Sequence, residues 1–237
     1  MSRKRNRKKD QNNIVNLMDY AKKVVNLTPK NAAQSYYIDT LLNRKNTIVF
    51  ATGPAGTGKT MLAVLSAIKH YQQGDITKIV ITRPAVGVDD EKHGFLPGGL
   101  NQKMEPWTRP IFDVFREHFN NSEIQRMIAN DIIEISPLAF MRGRTFKNSY
   151  IIADEMQNAT HEQTKMLLTR IGEGSKIVVT GDLAQHDRGF NNNGLKDFLQ
   201  KYNTGTYSSI RHVQFTKRDV ERHPVVADVL KIYDEAS

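Results

Sequence analysis

One stretch, Gly53-Pro54-Ala55-Gly56-Thr57-Gly58-Lys59-Thr60, constrains this chain more than any other. It fits the pattern G-x-x-x-x-G-K-[ST]. Before it, Thr47-Ile48-Val49-Phe50-Ala51 is a short apolar run that predicts a buried strand. After it, Met61-Leu62-Ala63-Val64-Leu65-Ser66-Ala67-Ile68 predicts a helix. Strand, glycine-rich loop and helix in succession are the setting of a phosphate-binding loop. Glycines let the backbone turn tightly around an anion, so that successive N–H groups face its oxygens, and the helix start adds the positive end of its dipole. Gly53, Pro54, Ala55, Gly56, Thr57, Gly58, Lys59 and Thr60 therefore read as ligands of a nucleoside triphosphate. Lys59 would reach the β and γ phosphates, and the Thr60 hydroxyl would hold Mg²⁺.

The rest of the chain repeats the same alternation. Apolar runs rich in Ile and Val occur at 78–84, 131–135, 150–155, 176–182 and 213–215. Helical patterns fall between and after them, at about 58–73, 106–119, 122–129, 160–171, 194–202 and 217–235. Near-continuous apolar strands alternating with helices predict a parallel sheet covered on both faces. The expected fold is thus α/β, a three-layer, RecA-like nucleotide-binding sheet. Residues 84–105 interrupt the pattern with Gly87, Gly94, Pro97, Gly98 and Gly99 among charges, and read as a long loop or small insertion.

At 237 residues the chain suits one large domain. The first ten residues hold six Lys/Arg against one Asp, more than half of the net charge of +9. Such a block cannot bury apolar surface, so residues 1–13 read as a disordered basic tail and 14–237 as a single domain. The tail suits a polyanion, most simply nucleic acid, or only a solubilising terminus. No run approaches the ~18 apolar residues of a membrane span, and no apolar stretch follows the basic start, so the expected compartment is the cytoplasm. With no cysteine, disulfides and thiolate metal sites are excluded. His93, His161 and His186 lack metal-ligand spacing.

Asp154 and Glu155 end the run Tyr150-Ile151-Ile152-Ala153, which places them at the crevice edge where parallel sheets bind ligands. Asp154 is placed to share the Mg²⁺ of Thr60, and Glu155 to orient and deprotonate an attacking water. A hydrolase needs such a carboxylate and a kinase does not, which argues against a small-molecule kinase. The next strand ends in Gly181-Asp182-Leu183-Ala184-Gln185. Gln185 there suits either a γ-phosphate contact or a surface position, and Asp182 suits a turn.

In order along the chain, GPAGTGKT, ITRPAV, GFLPG, PLAFMRGRT, YIIADEMQN, SKIVVTGDLAQHD and RHPVV resemble the PhoH family of ATPases, relatives of superfamily-1 helicases. The similarity covers roughly residues 30–235. It resembles the short form common in bacteriophages, without an appended nuclease or KH domain. The resemblance implies ATP as the nucleotide, read at adenine by Gln34, which precedes Gly53 by 19 residues. It gives Asp154 and Glu155 the metal and catalytic roles, and Gln185 the γ-phosphate contact. It places Thr82, Arg83 and Pro84 where helicases begin to touch a nucleic-acid strand. Met156 departs from the alanine usual in the family.

Hydrolysis at a phosphate loop is accelerated by about 10³ to 10⁵ when an arginine neutralises charge on the γ-phosphate. Related helicases supply it from a second nucleotide-fold domain, and this chain has one phosphate loop. Either the enzyme is slow or a neighbouring copy supplies the arginine; the second is the favoured expectation, giving a homo-oligomer, a hexameric ring with ATP at its boundaries. Arg222 is the leading candidate, with Arg218 and Arg211 behind it. Arg142 and Arg144 flank Gly143 on a loop suited to gripping phosphate. Phe95 is the preferred base-stacking residue, with Tyr36 and Trp107 as further aromatics. The expected function is Mg²⁺-dependent ATP hydrolysis coupled to binding, translocation on or unwinding of single-stranded nucleic acid, RNA in the first instance. An ATP-switched RNA-binding module without strand separation is the alternative.

Overall fold

The computed structural model describes residues 24–84, 100–185, 193–222, 225–226 and 232. The basic tail, Phe95, His93, His186 and most of the final helical pattern lie outside these residues.

Six strands form one sheet: β1 (Ile48–Thr52), β2 (Lys78–Thr82), β3 (Ile133–Ile135), β4 (Ser149–Ala153), β5 (Lys176–Gly181) and β6 (Ile210–Gln214). Every pairing is parallel, and the order across the sheet is β3-β2-β4-β5-β1-β6. β5 separates β1 from β4, so the phosphate loop and the acidic pair leave the same edge of the sheet one strand apart.

The helices are α1 (Ala32–Leu42), α2 (Lys59–Gln72), α3 (Leu100–His118), α4 (Asn121–Ala129), α5 (His161–Leu168) and α6 (Gly194–Tyr202). Strand side chains alternate between two cores, as the period of two requires. Val49, Ala51, Ile79, Ile81, Tyr150, Ile152 and Val178 pack with residues of α1 to α4. Ile48, Phe50, Val80, Ile151, Ala153, Ile177 and Val179 pack with α5 and α6 through Leu167, Leu168, Leu195 and Leu199. The three-layer α/β arrangement expected from the alternation of elements is the one observed.

Three elements depart from the sequence reading. α1 is missing from it because its buried positions include Gln34 and Thr40, which blur any apolar stripe. α3 starts six residues before the expected 106, and Pro106 and Pro110 inside it disguise its early turns. The continuous helix expected over 217–235 is broken. Thr216 and Asp219 cap a short 3₁₀ turn, Lys217–Asp219, and Val220 is extended.

α1 is fastened at both ends. At its N-terminus Asn31 accepts from Gln34 N. At its C-terminus the Lys176 ammonium donates to the carbonyls of Leu41 (2.5 Å) and Asn43 (2.9 Å). Lys176 is 6 % exposed, and burial pushes its pKa down to about 8. An unfolded lysine titrates near ~10.4, so between these values the unfolded chain binds more protons and stability rises with pH. Urea unfolding should therefore show stability climbing from pH 8 towards pH 10, by at most about 1.4 kcal/mol per pH unit. Lys176→Met should flatten that climb; an unaltered slope would remove Lys176 as its origin.

Candidate phosphate-loop active site

The loop leaves β1 at Thr52 and enters α2 through Gly58, whose φ of +83° serves as a helix cap without a side chain. The first N–H groups of α2 thus face outward with no side-chain acceptor, which is how a helix start holds an anion. Thr57 steadies the loop from within, its hydroxyl donating to Pro54 O at 3.0 Å. Gln34 steadies it from α1, with Nε2 donating to Thr57 O at 3.1 Å. Its Oε1 accepts from Lys30 N at 2.8 Å, and the side chain is buried. Gln34 is therefore an anchor of the loop backbone.

Beside the loop lies a cavity of about 280 Å³. Gly56, Gly58, Lys59 and Thr60 line one wall, and Asp154, Glu155, Thr180, Asp182 and Gln185 line the other. Asp154 Oδ1 accepts the hydroxyls of Thr60 (2.8 Å) and Thr180 (2.5 Å). A hydroxyl and a carboxylate are hard oxygen donors, the pair Mg²⁺ takes when phosphates and water complete its shell. The residues present fit that ion.

Lys59 folds back on its own loop, its ammonium donating to Gly53 O (2.6 Å), Pro54 O (2.7 Å) and Thr57 Oγ1 (3.3 Å). Burial lowers its pKa, while Asp182, Glu155 and Asp154 act to raise it. An incoming phosphate would add a further charge favouring the ammonium.

Glu155 stands in the left-handed region, at φ 53° and ψ 38°. A non-glycine residue there is disfavoured by roughly 1–2 kcal/mol. Its carboxylate is held by Gln157, whose Nε2 donates to Glu155 Oε2 at 2.5 Å and whose Oε1 accepts from Asp182 N at 3.1 Å. Gln157 is 4 % exposed and clips the end of β4 to the end of β5. The sequence offers Gln157 only as one letter of YIIADEMQN; two residues past a carboxylate is the signal that could have singled it out. Met156 is fully buried in the core under α5 and α6, which accommodates the bulkier side chain.

Asp182 Oδ1 accepts from Ala184 N at 3.0 Å, making the turn, and Gln185 is exposed on the cavity wall. The arginines divide. Arg83 Nη1 reaches Trp107 O at 3.5 Å, turned towards α3. Arg144 forks onto Glu134, with Nη2 to Oε2 at 2.9 Å, and lies 4.5 Å over the Phe146 ring. Lys78 shares the same carboxylate, and the Arg144 hydrogen bond is the main cause holding Glu134 below the usual carboxylate range. Arg142 is exposed beside Gly143. Arg222 lies against Gly56 of its own chain. Tyr36 is exposed and Trp107 partly buried.

A parallel sheet with this loop, this threonine and this carboxylate on one edge defines the class of phosphate-loop nucleotide-binding proteins. The chain belongs to the PhoH-like protein family, whose sequence model matches residues 26–234. It is 42% identical over 208 residues to a PhoH-like protein of Bacillus subtilis, covering 87% of this chain and 63% of that one. It is 38% identical over 208 residues to Protein PhoH of Escherichia coli K12, covering 86% and 57%. The chain thus spans about three fifths of the length of these relatives. Among solved structures, a Sulfolobus solfataricus SWI2/SNF2 ATPase core in complex with dsDNA is similar with a TM-score of 0.42 and 16% identity, over 67% of this chain and 32% of that one. A Pif1 helicase from Candida albicans gives a TM-score of 0.39 and 18% identity, over 79% and 40%.

The strain at Glu155 can be isolated by comparing Glu155→Gly with Glu155→Ala, which both lose the carboxylate. The glycine variant should be the more stable by about 1 kcal/mol in urea unfolding. Equal stabilities would mean that the backbone at 155 is not strained in solution.

Proposed function

We propose that this chain hydrolyses ATP with Mg²⁺ and couples the cycle to single-stranded nucleic acid, RNA in the first instance. The observation that carries the ATPase reading is the convergence of Thr60 and Thr180 on Asp154 Oδ1, with Lys59 and Glu155 facing the same cavity. In this reading the loop N–H groups and Lys59 bind the phosphates, and Thr60 and Asp154 hold Mg²⁺, which supplies charge neutralisation at the β and γ oxygens when bound. Glu155 orients the attacking water and takes its proton, aimed by Gln157. Gln185 contacts the γ-phosphate from the end of β5. Adenine preference is carried by the family resemblance at Gln34.

Binding of nucleic acid is supported by the family, by the exposed Arg142 and by the basic residues at the start of the chain. An arginine for the γ-phosphate supplied by a second copy supports a homo-oligomer, a ring in the first instance. The proposed compartment is the cytoplasm; among the described residues, no helix is long and apolar enough to cross a membrane.

Steady-state ATP hydrolysis, measured with and without single-stranded RNA across protein concentrations, tests this reading. Turnover should rise with RNA, and specific activity should rise with protein concentration. Turnover indifferent to both would leave an ATP-switched binding module. Lys59→Ala should abolish turnover, and Glu155→Gln should bind ATP while hydrolysing it at least ~100-fold more slowly. Normal turnover by Glu155→Gln would remove the general base. Gln157→Met should lower kcat about tenfold or more with little change in KM, because it misdirects Glu155 without touching substrate.

A further inference from the structure

β6 neighbours β1 on the side away from β5 and β4, and the chain leaving it follows the phosphate loop from end to end. At the start, Phe215 N donates to Thr52 O at 2.7 Å; at the loop's crest, Glu221 N donates to Gly56 O at 2.9 Å. Between these points the capped turn Lys217–Asp219 fixes the path. Asn31, just ahead of α1, fastens the far end, its Nδ2 donating to Glu221 Oε1 (2.9 Å) and Asp219 O (3.3 Å). All of these bonds lie within one chain.

They leave Arg222 draped over Gly56. A Cβ at position 56 would run into Arg222 Nε and stand 3.0 and 3.1 Å from its Cγ and Cδ. Gly56 also has φ +86°, so a side chain there would strain the backbone and displace the arginine. The guanidinium is exposed and makes no hydrogen bond or ion pair with any described residue. A cation whose stem is seated on a phosphate-binding loop, with its donors unused, is poised for a phosphate oxygen. It does not line the cavity that contains Asp154, Glu155 and Gln185. Its contact is with the loop wall, at Gly56, whereas Glu155 and Gln185 stand on the opposite wall.

We infer that Arg222 binds, within its own chain, the phosphates that ATP and ADP have in common, and that it is not the arginine offered to a neighbour's γ-phosphate. This rests on the reading of the loop as a nucleotide site. Arg222 then acts on ground-state affinity, and an arginine acting on the γ-phosphate during hydrolysis has to be a different one.

ADP binding separates the two roles, because ADP has no γ-phosphate. Calorimetric titration of ADP into the full chain is compared with Arg222→Met, which keeps the stem over Gly56 and removes the charge. Arg222→Lys restores a charge, and thermal unfolding without nucleotide checks that both variants fold. ADP affinity should fall about ten- to a hundredfold in Arg222→Met, with a smaller loss in Arg222→Lys. Mixing Arg222→Met chains with Lys59→Ala chains should restore no turnover beyond that of the separate variants. Unchanged ADP affinity in Arg222→Met, or turnover regained on mixing, overturns the inference. Failure of the unaltered chain to bind ADP would instead overturn the nucleotide-site reading itself, and this inference with it.

Discussion

One carboxylate oxygen, Asp154 Oδ1, draws together groups carried by three neighbouring strands. Asp154 follows β4, Thr180 belongs to β5, and Thr60 follows β1 by way of the loop. Their meeting depends on every strand being parallel, so that all three deliver their C-terminal ends to one edge. It depends equally on β5 lying between the other two, which brings Gln185 and Asp182 beside the same cavity. Within that frame the apolar faces of the strands are divided between two cores, so the edge is held from both sides. Each wall of the cavity is then locked by side chains that need do no chemistry, Gln34 on the loop and Gln157 between β4 and β5.

Much of this was legible because its causes are local. The strand before Gly53, the helix after Thr60 and the apolar runs at 150–153 and 176–180 each declare themselves by residue type, and the positions of Lys59, Thr60, Asp154 and Glu155 follow from where those elements end. What the sequence withheld depends on contacts between segments far apart. Gln34 meets Thr57 across 23 residues, which its own neighbourhood cannot announce. Arg144 resembles a free loop arginine until β3 brings Glu134 to it. Arg222, placed by the sequence among residues for a neighbour to use, is brought to its own loop by the strand before it and by Asn31, some 190 residues earlier. The final helix does not begin at 217 as its pattern suggests, because the capped turn at 217–219 diverts the chain along the loop.

The nucleotide site is also stable in its own company. Lys59 is satisfied by carbonyls of its own loop, so an arriving phosphate would exchange partners with them and would not strip a free ammonium of water. Such an exchange weakens ground-state affinity relative to a lysine held free.

Glu155 has a different kind of consequence. Its backbone sits where glycine is comfortable and a residue with a Cβ is crowded against its own carbonyl. Stability alone would steer this position towards glycine, and a lineage with no use for a carboxylate there would reach a sturdier fold by losing it. A glutamate at this position therefore carries a conformational cost that folding alone does not offset. A glycine after the strand's aspartate would relax the backbone and empty that wall of the cavity of its second carboxylate in a single change.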